Sequence, residues 1–300
     1  MPHGVSSDLQ NSTSNLVDAY KRNELLKESG LGIYALSAII VDKAEPSEAL
    51  KANMTKSKQI EYIYNTEVIS KSDDDTGVSL NVSDGRILRS RLLIGCDGRN
   101  SNIAKWSNIS HIGWDYNQSA LVCAISHKKP HYGVAHQFFT PSGPLAILPL
   151  PGNKSSIVWT ETKDKAKDIN IMCDEDYLSA LSPVIGNFLG PISLVGDRFS
   201  YPLGLSIAES FISSCTVLVG DSAHGIHPLA GQGLNLGLKD IAALTEVLAL
   251  AKSRGENFSS KDVLERYQKW RRFDTSAMAA ATDGINKLFS NLIPSPSSRM

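Results

Sequence analysis

The stretch from Val217 to Asn235, VLVGDSAHGIHPLAGQGLN, constrains this chain more than any other feature. An apolar run ends at Gly220, and Asp221 stands where a strand must stop. Pro228 stiffens the connecting loop. Gly231 and Gly233 then flank Gln232 at the start of a helical pattern that runs to about Lys252 and carries Leu234, Leu238, Ile241, Leu244, Leu248 and Ala251. The first N–H groups of such a helix lack partners and its dipole end is positive, so an anion, or a ring that becomes anionic, belongs there. Asp221 can accept hydrogen bonds from sugar or sugar-alcohol hydroxyls. The plainer reading is a strand–loop–helix whose glycines serve packing alone.

A second string, LLIGCDGRNS from Leu92 to Ser101, has the same grammar. A strand ends at Gly95, the chain turns at Asp97-Gly98, and Asn100 or Ser101 can cap a helix beginning near Asn102. The turn offers backbone N–H groups and one carboxylate beside a cleft. Taken by itself, Asp-Gly is as readily an ordinary strand-to-helix turn.

Between and around these strings the pattern is mixed. Residues 1–20 are polar and expected to fray. Val78, Leu80 and Val82 alternate with polar residues, Asp84-Gly85 supplies a turn, and Ile87 to Ile94 resumes the apolar pattern, which predicts a hairpin feeding a buried strand. From Gln118 to Thr160, SALVCAIS, VAHQFFT, PLAILPL and SSIVWTE alternate with Pro/Gly turns and predict an antiparallel sheet with one face covered. A short helix is expected over Asp174–Phe188, packed through Leu178, Leu181, Val184, Ile185 and Phe188; Cys215 to Val219 predicts a buried strand, and a last helix runs from Lys261 to about Phe289. The ending IPSPSSRM cannot continue it.

Composition narrows the function classes. Three hundred residues suit about two domains. A hydrophobic share of 42% argues against disorder, and a net charge of -1 gives no electrostatic reason to bind nucleic acid. Cys96, Cys123, Cys173 and Cys215 form no C-x-x-C pair and read as reduced, buried thiols. No apolar run is long enough to cross a bilayer, and the N-terminus has no signal-peptide pattern, so a soluble intracellular protein is expected. His224 and His227 are three apart but have no third ligand nearby, so no metal site is predicted. His127, His131 and His136 read as exposed or ordinarily hydrogen-bonded, and Asp73 to Asp75 as a solvated turn. Lys269, Arg271 and Arg272 read as the wet face of a helix, with Trp270 in the core.

Taken together, GCDGRNS and LVGDSAHGIHPLAGQGLNLGLKDIAAL closely resemble the flavin-dependent aromatic hydroxylases of the p-hydroxybenzoate hydroxylase class, and within it the ubiquinone-biosynthesis branch. WDYNQSALVCAI, FFTPSGPLAILPL, YPLGLSIAE and AMAAATDGINKLFSN extend the resemblance over roughly Val78 to Asn291. It implies an α/β fold: an FAD-binding dinucleotide-type domain, incomplete at its N-terminus, with an inserted antiparallel β-sheet substrate domain. The expected division is 1–112 and 206–300 for the FAD-binding part and 113–205 for the sheet. It further implies that Asp221 binds the ribityl or ribose part of FAD, with Gly220 letting it sit close. Pro228 would border the flavin ring, and the backbone of Gly231, Gln232, Gly233, Leu234 and Asn235 would meet its pyrimidine end. Asp97 and Gly98 would serve both FAD and the NAD(P)H reductant. No catalytic acid or base can be named. The implied reaction takes NAD(P)H and molecular oxygen and hydroxylates an aromatic ring, here a polyprenylated phenol. So apolar a substrate leaves room for peripheral contact with an inner membrane surface (cytoplasmic in a bacterium, matrix-facing in a mitochondrion) and for membership in a biosynthetic complex.

The chain departs from that pattern in one respect. Such flavoproteins open with a strand, a G-x-G-x-x-G turn and a helix that hold the FAD pyrophosphate. The nearest match is Gly30-Leu31-Gly32-Ile33-Tyr34-Ala35, with Glu48 near the expected acidic position, but KRNELLKES before it is no strand. The family pattern also continues past Phe289, so both ends read as truncated. A flavin-dependent reductase or dehydrogenase, and a non-catalytic remnant acting only as an interaction partner, are the alternatives this leaves.

Overall fold

In the computed structural model, residues 56, 59–61, 63–74 and 77–290 are described. The Gly30–Ala35 match, Glu48 and the polar first 20 residues lie outside them. An antiparallel sheet comes first: β1 (Val68–Asp74), β2 (Gly77–Val82) and β3 (Ile87–Ser90), in that order. The hairpin turn at Asp84-Gly85 is as expected, with Gly85 at φ 86°. Strand β1 was not expected, because NTEVISKSDDD gives almost no alternation. Asp74 and Arg89 hold each other across this sheet at 2.6 Å.

Strand β4 (Leu93–Gly95) leaves that sheet and runs parallel to β11 (Thr216–Leu218), which also pairs antiparallel with the short β10 (Ile212–Ser213). Helix α1 (Asn102–Trp106) follows β4, and Ser101 is its N-cap: the hydroxyl accepts from the Ala104 N–H at 2.9 Å. Around these strands a core of Ile103, Phe211, Val217, Leu218, Leu244, Val263, Leu264 and Tyr267 is assembled, with α4 (Gln232–Ser253) and α5 (Lys261–Phe289) supplying its helical side.

Strand β5 (His111–His127) opens a six-stranded antiparallel sheet with β6 (His136–Thr140), β7 (Gly143–Leu150), β8 (Lys154–Thr162), β9 (Ile192–Ala208) and β12 (His224–Gly225), ordered β12-β9-β5-β8-β7-β6. Period-two alternation places Leu121, Cys123 and Ile125 of β5 with Leu145, Ile147, Ile157 and Trp159 on one face. Helices α2 (Lys163–Asn170) and α3 (Asp174–Ile185) cover that face through Ala166, Ile169, Tyr177, Leu181 and Ile185. Helix α3 stops before Phe188 because Gly186 turns the chain at φ 80°. Strand β9 was only partly legible, since its burial pattern is broken by exposed Phe199 and Tyr201.

Four expectations are corrected. The buried stripe of α4 is Asn235, Leu236, Asp240, Ala243, Leu244, Val247 and Ala251, whereas Leu234, Leu238 and Ile241 are exposed; a polar pair, Asn235 and Asp240, takes positions that periodicity assigns to apolar residues. Arg271 is 2% exposed and ion-paired, not on a wet face, because it continues the buried stripe of Val263, Leu264 and Tyr267. Trp270, its neighbour, is therefore turned outward and 48% exposed. Of the four free cysteines, Cys123 is buried but Cys96 and Cys173 are exposed, one in a turn and one at the N-cap of α3.

The β5–β9 register depends on Gly113. A Cβ there would lie 1.9 Å from the Leu205 carbonyl oxygen, and the backbone contact cannot be relieved by a rotamer change. Gly113→Ala is expected to lower stability by about 3 kcal/mol, while Gly233→Ala, whose Cβ meets nothing, is expected to change it by less than about 1 kcal/mol. Urea unfolding of both variants checks the difference.

Candidate cofactor site at two strand ends

Strands β4 and β11 end side by side. Gly95 is paired with Leu218, and the Val219 N–H donates to the Gly95 carbonyl at 3.0 Å. The Ser222 hydroxyl lies 2.6 Å from the Gly95 carbonyl oxygen and 2.9 Å from that of Val219, so one buried side chain staples both strand ends. Turns 96–98 and 220–222 are thereby brought together at the carboxyl ends of parallel strands, the position where open α/β sheets take ligands.

Each predicted residue has a definite place. Gly220 and Gly98 adopt φ 67° and 81°, a region that favours glycine. Asp97 accepts the Ile103 N–H on Oδ2 at 3.1 Å, so its carboxylate also caps α1. Asp221 is half exposed. Pro228 is exposed ahead of the 3-10 turn Leu229–Gly231, and Gly231 sits at φ 63° as the N-cap of α4, with no side-chain cap. A Cβ at Gly231 or Gly233 would meet nothing within 4 Å, so the α4 N-terminus is open to close approach. Leu234 is exposed, whereas Asn235 is buried and its Nδ2 has no hydrogen-bond partner. These features fit a cofactor of the FAD kind: backbone N–H groups at a positive helix end, glycines without a Cβ in the way, and a carboxylate alongside.

Two groups of residues went unforeseen. The first is centred on Asp240, whose Oδ2 accepts the Gly220 N–H at 2.9 Å and lies 2.6 Å from His224 Nε2, while Oδ1 accepts Arg271 Nε at 2.7 Å. Burial pushes this carboxyl up, but the hydrogen bonds from His224, Arg271 and Gly220 outweigh it and hold it below the usual carboxylate range. Arg271 also donates to Asp274 at 2.7 Å. The only signal for this group was the spacing of Arg271 from Leu264 and Tyr267. The second is Arg99, which donates to the carbonyls of Gly204 at 3.1 Å and Ile226 at 2.7 Å, with Nε 3.6 Å from Asp221.

His227 is fully buried beside Tyr116, ring centroids 5.3 Å apart, and neither ring nitrogen has a hydrogen-bond partner. Burial first, then the Arg99 charge, lowers it to about 4, against a smaller opposing effect of Asp283. The three remaining described histidines of interest are ordinarily bonded or stacked: His127 to Lys129 and Ser155, His131 to Leu150, and His136 against Phe138. Among the described residues no group of metal-ligating side chains occurs, and no helix is long and apolar enough to cross a membrane.

The His227 shift has a pH consequence. Between pH 4 and the ordinary value of 6.5 the unfolded chain binds more protons at this site than the folded one, so stability is full above that window and falls as pH drops through it. From pH 7 to pH 5 the wild type is expected to lose about 2 kcal/mol more than His227→Asn. Urea unfolding at the two pH values checks this, and equal losses would refute it.

Comparison with known proteins agrees with the geometry. The family described as FAD binding domain matches residues 6–282. Ubiquinone hydroxylase UbiL of Rhodospirillum rubrum is 42% identical over 218 residues, covering 73% of this chain and 51% of that protein. The 3-demethoxyubiquinol 3-hydroxylase of Escherichia coli is 35% identical over 215 residues, covering 72% and 55%. The chain spans about half the length of the curated relatives it matches. Among solved structures, p-nitrophenol 4-monooxygenase PnpA of Pseudomonas putida superposes with a TM-score of 0.70 at 19% identity, covering 86% of this chain and 66% of that one, which supports the fold.

Proposed function

Because the chain belongs to the family of FAD-binding domains, we propose that it acts in FAD- and NAD(P)H-dependent hydroxylation of an aromatic ring, with a polyprenylated phenol of ubiquinone synthesis as substrate. The observation that carries this reading is the joining of the two turns at the ends of β4 and β11, with α4 packed against Gly220 and its glycine-lined N-terminus left open. The ubiquinone-pathway names of the relatives support the choice of substrate class.

In this reading FAD supplies the redox and oxygen-transfer chemistry when bound. The chain's residues bind and orient it. Asp221 and Gly220 would hold the ribityl or ribose hydroxyls, and the backbone of Gly231 to Asn235 would receive the pyrimidine end of the ring, where the α4 dipole favours negative charge. Pro228 would border the ring, and Asp97 with Gly98 would serve FAD and the nicotinamide reductant. Among the described residues, those up to 112 and those from 206 onward would form the cofactor part, and 113–205 would provide the sheet that walls the substrate. An apolar polyprenyl tail would bring the protein to a membrane surface.

Incubation with FAD, desalting and a visible spectrum test the first half of this proposal. About one equivalent of retained flavin is expected, followed by oxygen incorporation into a prenylated phenol with NADH or NADPH. NAD(P)H oxidation without incorporation would instead indicate a reductase or dehydrogenase, and a folded, colourless chain would sink the flavoenzyme reading.

A further inference from the structure

Arg99 lies where three elements of the site meet. Its side chain leaves the Gly98 turn and crosses Gly225, where an added Cβ would come within 2.7 Å of Nε. It then donates Nη1 to the Gly204 carbonyl of β9 and Nη2 to the Ile226 carbonyl of the loop that leads to Pro228. With the planar guanidinium fixed by two carbonyls, the direction of Nε is fixed too, and it faces Asp221 Oδ2 at 3.6 Å. The Arg99 side chain is 34% exposed and that of Asp221 is 51% exposed, so as an ion pair the contact contributes little to stability. Its consequence is geometric. Gly225, lacking a Cβ, leaves the space that the Arg99 side chain occupies as it crosses the loop.

We propose that Arg99 is a positioning residue for flavin binding, one that aims the Asp221 carboxylate while the Gly204 and Ile226 carbonyls anchor its guanidinium. This rests on the FAD reading given above. Arg99 acts through Asp221 rather than by touching the cofactor. Lysine keeps the charge but cannot bridge two carbonyls and face a carboxylate in one plane.

The test is a double-mutant cycle on the full chain, with FAD affinity read from the quenching of flavin fluorescence for wild type, Arg99→Gln, Asp221→Asn and the double variant. Arg99→Gln is expected to weaken FAD binding by about tenfold. The double variant is expected to fall within about twofold of the weaker single variant, because the two residues act as one unit. Arg99→Lys, which preserves charge and solubility should the Gln variant fail to fold, is expected to recover less than half of the loss on a logarithmic scale. Multiplying effects in the double variant, wild-type affinity in Arg99→Gln, or full rescue by lysine would each overturn the proposal, since a merely structural role gives independent losses. Wild type that binds no FAD would overturn the flavoenzyme reading and this inference together; a wild type that binds FAD alongside multiplying losses overturns this inference alone.

Discussion

The Asp240 carboxylate is the interaction on which the described structure most depends. It is fully buried, and its two oxygens receive a backbone N–H, an imidazole and a guanidinium from three different parts of the chain. Through Gly220 it fixes the turn that presents Asp221; through Arg271 it fixes α5 against α4. Helix α4 also packs directly against that turn, where a Cβ on Gly237 would be in ordinary contact, 3.6 Å, with the Cα of Gly220. A buried charge of this kind is unfavourable unless fully partnered. Here the carboxylate has three partners, and Arg271 is held further by Asp274, although His224 Nδ1 and Arg271 Nη2 have no hydrogen-bond partner.

From that anchor the rest of the site follows in order. Ser222 joins the ends of β4 and β11, which sets the Asp97-Gly98 turn beside the Gly220-Asp221 turn. Arg99 then connects the first turn to β9 and to the loop before Pro228. Helix α5 reaches the sheet at its other end, where Asn286 Nδ2 donates to Gln118 Oε1 at 3.0 Å and Gln118 donates to the Ser142 carbonyl at 2.7 Å. The sheet is therefore joined to the cofactor-facing turns through the half-buried Arg99 and to α5 through the buried Asn286–Gln118 contact, and a further cluster of Tyr116, Leu203, Leu205, Ile226, Leu236 and Ala279 packs between sheet and helices.

What could be read from the sequence was what is local. Gly220-Asp221 and Asp97-Gly98 announce themselves because a strand, a turn residue and a helix start lie within a few positions of each other. The alternating runs of β5, β7 and β8 and the extents of α4 and α5 were legible for the same reason. The face of α4 was not, because burial there is decided by Asp240 and Asn235 and not by the leucines; nor was the burial of Arg271, whose partner is 31 residues away in sequence. Arg99 was passed over because its contacts lie 105 and 127 residues away. Periodicity reports apolar stripes, and a stripe that turns polar halfway along α5, through Arg271, Thr275, Thr282 and Asn286, gives it nothing to count.

Equilibrium urea unfolding of Asp240→Asn tests this account most directly. The substitution keeps the shape and removes the charge, leaving Arg271 and the Gly220 N–H with a weaker partner. The account predicts a loss of about 3–4 kcal/mol relative to wild type. A loss below about 0.5 kcal/mol, the size of an ordinary surface substitution, would show that the carboxylate does not hold the turn and the two helices together.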